Sequence, residues 1–587
     1  MRILGIQGGI SGGAALVEDG RLIRAVNEER LVRLKMAKGF PTRSIRWLLQ
    51  DAGWAPESVD LVSYAGRRTF YIPEVQPWPG WLTGRESRRD LAASLTPFLG
   101  WSDGLWMGMQ RGRNAASARN RPKLRRLLAD LGVRAPMDVV DHHLAHVCGA
   151  WFTAGLPDAT LITMDGGGDG YASKVYRARD GRLEELHATT TFNSIGDYYA
   201  YVTILLGFKA QKHEGKITGL AAYGSPIYAD FFRTLIDYRD GRIVNRGRAM
   251  YWDAIRKIRA GLPADAKRED VAASIQRVLE DVVAEYCRYW IRRSGVRDVV
   301  LSGGVFSNVK LNQRIHELDE VDELVVHPGM TDEGLGVGAA YTSLYERGGA
   351  DGFAFEERRL PDVYLGPRYS DREMEAAVRA SGLPHSRPAS LAGDVADLLV
   401  DGKVVALFQG RMEYGPRALG NRSIMYQATD PAVNDWLNQR LDRTEFMPFA
   451  PVTRVEDAAR CYLGLAGAEY TARFMTVTFD CTSWMKERMP AVVHVDGTAR
   501  PQLIEQARNP LYHGILSEYE RRTGLNSLVN TSFNMHEEPI VCSPEDALRS
   551  FTRGHLDHLV LGPFLVENGT PDAKPFHAAH HEGLARA

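Results

Sequence analysis

The chain has 587 residues, 44% of them apolar and 25% charged, with 72 basic side chains against 73 acidic ones. That length exceeds what one hydrophobic core serves and points to about two to four domains. The charge balance excludes a strongly basic or acidic surface as the organising feature, and no run approaches the ~20 apolar residues of a membrane span. Five scattered cysteines, with no C-x-x-C pair, argue against a disulfide framework and fit a reducing compartment. The opening MRILGIQGGISGGAALVEDG lacks the charged and long apolar regions of a secretory signal. The expectation is a soluble, cytoplasmic, multidomain protein without a nucleic-acid or membrane partner.

In chain order, ILGIQ and AALVED read as two short strands, and Asp19-Gly20 as the turn into a third at RLIRAVNEER. Arg111–Arg126 (RGRNAASARNRPKLRR) is the one basic stretch and reads as a solvated helix or loop. In DHHLAHVCGAW, His142 and His146 are one helical turn apart and would share a face. Such a pair can hold a metal ion or sit on a wet helix surface, and by spacing alone the surface is the commoner case. TLITMD is a buried strand that ends on Asp165 and runs into GGGDG. Ile275, Val278, Leu279, Val282, Val283 and Tyr286 recur at helical period within residues 271–293. VRDVVLSGGV and ELVVHPG are two further strands, the second followed by the glycine-rich helix start TDEGLGVGAAYTSLYE.

Strands that end in glycine turns can cradle phosphates with backbone N–H groups, which singles out Gly166, Gly167, Gly303 and Gly304. None of these turns fits G-x-x-x-x-G-K-[ST]; acid-then-glycine strand ends repeated in one region suggest the ATPase core of actin, sugar kinases and Hsp70. Residues 347–370 are irregular and read as a linker, its apolar members Phe353, Phe355, Leu360, Val363 and Tyr364 favouring docking over a free tether. A second domain begins with the helix DREMEAAVRASG and the strand KVVALFQG. No internal repeat is visible. Within GRMEYGPRALGNRS, Arg411, Arg417 and Arg422 crowd one short, glycine-broken segment suited to a polyanion. Arg500 in HVDGTARPQ, and Thr531, Ser532 and Asn534 in NTSFN, add donors for a nucleotide.

Taken in order, H142-x-x-x-H146, MDGGGDG, HEGKITGLAAYG, GGVFSN, TDEGLGVGAA, GRMEYGPRALGNRS, HVDGTARPQ and NTSFN…EPIV resemble the O-carbamoyltransferases of antibiotic and nodulation-factor biosynthesis. The resemblance covers about Arg2 to Val566. It implies an α/β protein: an N-terminal domain (1–346) of the actin/sugar-kinase/Hsp70-like (ASKHA) type, the linker 347–370, a YrdC-like α/β domain (371–569) and a tail (570–587). It implies that ATP, with Mg2+, and carbamoyl phosphate form carbamoyl-adenylate in the C-terminal domain. The N-terminal domain would then transfer the carbamoyl group to a hydroxyl of a small-molecule acceptor, at a divalent metal that is iron by family habit, with zinc or manganese as alternatives.

Mapped onto this sequence, the family's ligands fall on His142, His146, Asp165 and Asp332. His213, Lys216 and Arg417 are carried over as catalytic residues. Asn308 joins the glycine turns, and Arg411, Arg417, Arg443, Arg500, Ser532 and Asn534 fall to the nucleotide and carbamoyl phosphate. Homodimerisation is also expected. The chain departs from the family at Ile10-Ser11 and Met36, where histidines or an aspartate are usual, leaving His213 or a metal-linked carboxylate as base. Leu441, Thr444 and Met447 replace family residues around Arg443. The competing readings are a sugar-kinase-like phosphotransferase, a tRNA-modifying relative disfavoured by charge, and a catalytically silent ATP-binding homologue.

Overall fold

Asp19 and Gly20 both take positive φ, 49° and 74°, the combination whose twist joins two antiparallel strands tightly. The strands they join are β2 (Gly13–Glu18) and β3 (Arg21–Asn27). With β1 (Arg2–Gln7), β4 (Leu61–Ala65) and β5 (Met137–Val140) they build a sheet in the order β3-β2-β1-β4-β5. The hairpin side is antiparallel, and β1, β4 and β5 run parallel.

A second sheet has β6 (Ala159–Gly168), β7 (Tyr171–Arg179), β8 (Arg182–Thr190), β9 (Val299–Ser302) and β10 (Leu324–Val326). Its order is β8-β7-β6-β9-β10, again antiparallel on one side of the lead strand and parallel on the other. One topology therefore occurs twice, the duplicated arrangement of the actin, sugar-kinase and Hsp70 core. The duplication is a repeat of strand order carried by different side chains, which leaves the sequence without a visible repeat.

The structure is a computed structural model and describes residues 1–83, 102–441 and 449–569. The chain divides into two units, Met1–Val32 with Met36–Leu360, and Arg33–Lys35 with Pro361–Ala587. The boundary at Leu360/Pro361 falls inside the segment expected to link two domains. Its first half is packed: Phe353 meets Phe152 edge-on and Phe355 lies tilted against Trp151, at 4.7 and 4.8 Å between ring centroids. The tail from 570 lies outside the described residues.

Five helices of the first unit bear on its chemistry: α1 (Asp103–Ser117), α2 (Arg121–Asp130), α3 (His142–Ala154), α4 (Arg268–Ser294) and α5 (Leu335–Gly348). The apolar positions read at helical period in α4 are all buried in one core cluster. The basic stretch forms α1 and α2, whose arginines face outward while Leu124 and Leu128 are buried. Helices α3 and α5 cross backbone to backbone: a Cβ added to Gly338 would lie 2.0 Å from the Ala145 carbonyl oxygen. Only glycine permits that approach. It sets the His142–His146 turn of α3 beside the start of α5, where Asp332 stands.

The second unit is also α/β. Its eight-stranded mixed sheet takes β11 (His385–Ser386), β12 (Val405–Phe408), β13 (Arg422–Gln427), β14 (Ala450–Arg454), β15 (Gln502–Ile504), β16 (Ser527–Ser532), β17 (His558–Leu561) and β18 (Phe564–Glu567). The order is β11-β18-β17-β12-β13-β16-β14-β15. The expected helix at 371 starts with a capping box between Ser370 and Glu373.

Candidate functional site

Asp141 caps α3 by accepting the Leu144 N–H at 3.0 Å, so His142 and His146 occupy the first two turns and point the same way. Asp165 reaches them from β6, where the ladder with β7 breaks between Met164 and Gly168. Asp332 arrives from the turn before α5. His146 Nε2 lies 2.9 Å from Asp165 Oδ2 and 3.6 Å from Asp332 Oδ1; His142 Nε2 lies 3.5 and 3.7 Å from the same atoms. One donor atom from each residue falls within 4.8 Å of all the others.

The donors fit a divalent cation. His146 Nε2 is buried and makes no hydrogen bond, although a carboxylate stands beside it. Its other nitrogen is 3.1 Å from Ser302 Oγ, the outer hydrogen bond that orients a ligating imidazole. Burial opposes charge on His142, yet Asp165 and Asp332 push its pKa up to about 9. Two imidazoles facing two carboxylates hold positive charge in one form or another, and a divalent ion supplies it without two protons. Two nitrogen and two oxygen donors suit iron, zinc or manganese. Gly168 makes room for the ring, since a Cβ there would lie 2.0 Å from His142 Cδ2.

His143 is neither a ligand nor a surface residue. It is fully buried, its two nitrogens 2.8 Å from Thr163 Oγ1 and 2.9 Å from the Tyr171 carbonyl, and burial pushes its pKa down to about 3.

Two residues that sequence reasoning missed complete this shell. Asp169, inside the GGGDG turn, accepts the backbone N–H groups of His142 and Arg67 on Oδ2 and of Arg68 on Oδ1, at 2.8–2.9 Å. Asp197 is buried beside the bulge: a Cβ on Gly166 would lie 2.9 Å from its Oδ1. Burial and the nearby Asp165 raise its pKa well above the carboxylate range. A signal existed only for Asp169, an acid placed among glycines.

The other candidates of this unit divide. Gly166 and Gly167 lie in the unpaired bulge, and Gly167 is exposed. Gly303 and Gly304 do not offer free N–H groups: Gly303 donates to the Met330 carbonyl at 2.7 Å and Gly304 to Asp165 Oδ1 at 2.9 Å. That turn orients a ligand rather than cradling a phosphate. Asn308 is likewise engaged, capping the next helix through Leu311 and bonding Gln276 and Thr218. His213 accepts the Lys209 N–H on Nδ1 at 3.3 Å. The Lys216 ammonium stands 6.0 Å from the Phe208 ring centre. Ser11 and Met36, at the family's usual acid and histidine positions, both hold positive φ, 52° and 53°, the kind of strained backbone that collects at sites.

In the second unit the arginine segment is shaped by Glu413. Its Oε1 accepts the N–H groups of Leu419, Asn421 and Arg422 at 2.7–3.0 Å, which folds the loop around one buried carboxylate. Arg422 leaves the expected anion cluster. It is fully buried, donates to the carbonyls of Gln409, Asn421, Pro367 and Gly410, and stacks 3.7 Å from the Phe408 ring centre.

Arg417 and Arg500 remain as neighbours. Burial, then the charge of Arg417, lowers the Arg500 pKa well below the usual guanidinium value, and Arg500 Nε is buried without a hydrogen-bond partner. Two like charges held together in a half-buried setting call for an anion. Arg411 donates to the Gly366 carbonyl at 3.1 Å. Ser532 ends β16, and Asn534 holds the following turn by donating to the carbonyls of Met535 and Glu538, so its amide N–H groups are committed to the backbone. Leu441 is buried; Arg443, Thr444 and Met447 lie outside the described residues.

Comparison with known proteins agrees with the two-unit division. Residues 2–341 match the family described as carbamoyltransferase N-terminus, and residues 396–568 the one described as carbamoyltransferase C-terminus. The nodulation protein NolNO of Sinorhizobium fredii is 32% identical over 602 residues, spanning 97% of this chain and 83% of that protein. The nodulation protein NolO of Bradyrhizobium diazoefficiens is 33% identical over 73% of this chain and 78% of its own. Among solved structures, HypF of T. kodakarensis aligns over 60% of this chain and 49% of that chain, at 13% identity and a TM-score of 0.35, a likeness too slight to bear on function.

Proposed function

The chain belongs to the carbamoyltransferase family, and from that premise we propose that it makes a carbamoyl-adenylate in its second unit and transfers the carbamoyl group to an acceptor hydroxyl in its first. The observation that carries the transfer half is the convergence of His142, His146, Asp165 and Asp332 around one point. In the first half-reaction, carbamoyl phosphate, ATP and water yield carbamoyl-adenylate, pyrophosphate and inorganic phosphate. Arg417 and Arg500 would hold the phosphates, with Mg2+ accompanying ATP.

In the second half-reaction the acceptor oxygen bonds the carbamoyl carbon, the carbon–oxygen bond to AMP breaks, and the hydroxyl proton leaves. A divalent ion on the four ligands, iron by family habit, would supply Lewis-acid polarisation of the carbonyl oxygen. The chain's own residues position the reactants. Asp332, the most exposed ligand with 35% of its side chain accessible, takes the hydroxyl proton.

No helix among the described residues is long and apolar enough to cross a membrane, and all five cysteines are buried free thiols. The deciding assay incubates the full chain with ATP, carbamoyl phosphate and a panel of hydroxylated acceptors. Pyrophosphate and AMP in equal amounts, both dependent on carbamoyl phosphate, support the reading; ADP in their place identifies a phosphotransferase.

A further inference from the structure

Between Asp103 and Asp130, helices α1 and α2 and the turn that joins them carry seven arginine and lysine residues and no carboxylate, in a chain whose total charge is nearly zero. Among the described residues no acidic group lies within ion-pairing reach of these seven, whereas most arginines elsewhere in the first unit have such a partner. An uncompensated patch this local indicates a ligand rather than solubility.

Its inner side leads to the metal ligands. Asn114 donates to the Asp169 carbonyl at 3.3 Å, Ser117 accepts the Thr69 N–H and hydroxyl at 3.1 and 2.7 Å, and Asn120 donates to the Thr69 carbonyl at 2.9 Å. Thr69, in the loop 67–71, is thereby clamped against α1 and the turn that follows it. The N–H groups just before it, of Arg67 and Arg68, end on the Asp169 carboxylate that also holds the backbone of His142. Patch and metal ligand are thus joined through a single side chain.

The loop, RRTFY, adds flat apolar faces. Phe70 and Tyr71 are 41% and 37% exposed. The Arg68 guanidinium lies 5.4 Å from the Phe70 ring centre, and the Lys123 ammonium 5.0 Å from that of Tyr71. Arg67 is committed to Asp141 at 3.7 Å. Arg68, by contrast, is pushed below the usual guanidinium pKa by partial burial and then by the charge of Arg113 beside it.

We propose that the acceptor hydroxyl arrives on a nucleoside-diphosphate-linked sugar, its phosphates on Arg68 and Arg113 and its base on the exposed faces of Phe70 and Tyr71. The proposal rests on the carbamoyl-transfer reading above and names its substrate class. Two adjacent guanidiniums match a diphosphate, exposed aromatics backed by cations match a base, and the shared carboxylate sets the sugar end towards His142. Nucleic acid is a poorer fit, because the patch ends at Asp103 and Asp130 after one helix pair. A bilayer would require a row of apolar side chains on the outer helix faces, which carry Leu105 alone among large apolar residues, with alanine and glycine between the cations.

The test is calorimetric binding of UDP-glucose, GDP-mannose and dTDP-glucose to the full chain, without carbamoyl phosphate, with glucose and a single-stranded oligonucleotide as controls. At least one nucleotide sugar should bind wild type and Arg417→Ala alike. Binding should fall at least tenfold in R68E/R113E and weaken with added salt, and glucose should not bind. A circular dichroism spectrum matching wild type confirms that the double variant is folded; R68Q/R113Q, a milder pair, should give an intermediate loss. Unchanged binding in both double variants, binding lost only in Arg417→Ala, binding of none of the three sugars, or tighter binding of the oligonucleotide would each overturn the proposal. Because carbamoyl phosphate is absent, failure of the two-step chemistry would show separately, as missing pyrophosphate release in wild type.

Discussion

The histidine pair of the first unit's candidate metal site and the arginine loop of the other are alike in sequence, each a local crowd of residues with one chemistry, yet the fold treats them differently. His142 and His146 were two candidates on one helical turn, and the fold kept both, adding Asp165 from the end of β6 and Asp332 from the turn before α5. Arg411, Arg417 and Arg422 were three candidates in one loop, and the fold diverted Arg422 into four backbone carbonyls while bringing in Arg500 from elsewhere. What separates a site from a cluster is whether its polar atoms are already satisfied by the protein. His146 Nε2, Arg500 Nε and Arg422 Nε are all buried without a hydrogen-bond partner, but Arg422 alone has both amino groups engaged by carbonyls of its own loop and neighbours. A buried polar group that lacks a partner costs about 1–3 kcal/mol, so such a group persists where a ligand offsets it.

The sharpest break between the two regions comes from His146→Ala. Bound metal should fall to background by elemental analysis, and acceptor carbamoylation should drop by more than the about 10–100-fold seen when an outer-shell partner is lost. Carbamoyl-phosphate-dependent pyrophosphate release should persist, since that chemistry belongs to the other unit. Full metal content in the variant would remove His146 from the ligand set.

Arg417→Ala should do the reverse. Adenylate formation should fall about 100-fold or more, as for loss of one preorganised donor to a developing charge, with metal content unchanged. Supplied with synthetic carbamoyl-adenylate, this variant should carbamoylate the acceptor at the wild-type rate. Failure of that rescue would move Arg417 from the phosphates to the transfer step or the scaffold.

Asp169→Asn tests whether the metal cluster depends on its outer shell. The amide can accept some of the three N–H groups but carries no charge, so metal affinity should weaken by about 10–100-fold while the fold survives. Competition with a chelator of known affinity measures it, and an unchanged affinity would confine Asp169 to local loop structure.

The smallest expected effect on chemistry, and a clear one on stability, is Arg422→Ala. Four carbonyls lose their donor and Phe408 its stacking partner, so the second unit should lose about 3 kcal/mol by denaturant unfolding. The molecules that remain folded should keep substrate affinity, which Arg417→Ala should not. If Arg422→Ala instead binds ATP and carbamoyl phosphate far more weakly at full stability, the distinction between the two arginines is lost.

Much of this protein was legible in the chain alone. Turn chemistry at Asp19-Gly20, the helical period of residues 271–293 and the helix starting at 371 are local properties, set by neighbours a few positions away, and the fold keeps each of them. The four candidate ligands were legible in a different way: the helical spacing of His142 and His146 put them on one face, and Asp165 and Asp332 joined them only through a family pattern. Tertiary structure alone decided the rest. The repeated strand order of the two sheets lies in pairing between distant segments, which side-chain identity records weakly. Gly303, Gly304 and Asn308 had the right chemistry for phosphates, but their hydrogen bonds are engaged by Met330, Asp165, Leu311, Gln276 and Thr218. The partner of a polar group is whichever atom packing brings within about 3 Å, and only the folded chain specifies that.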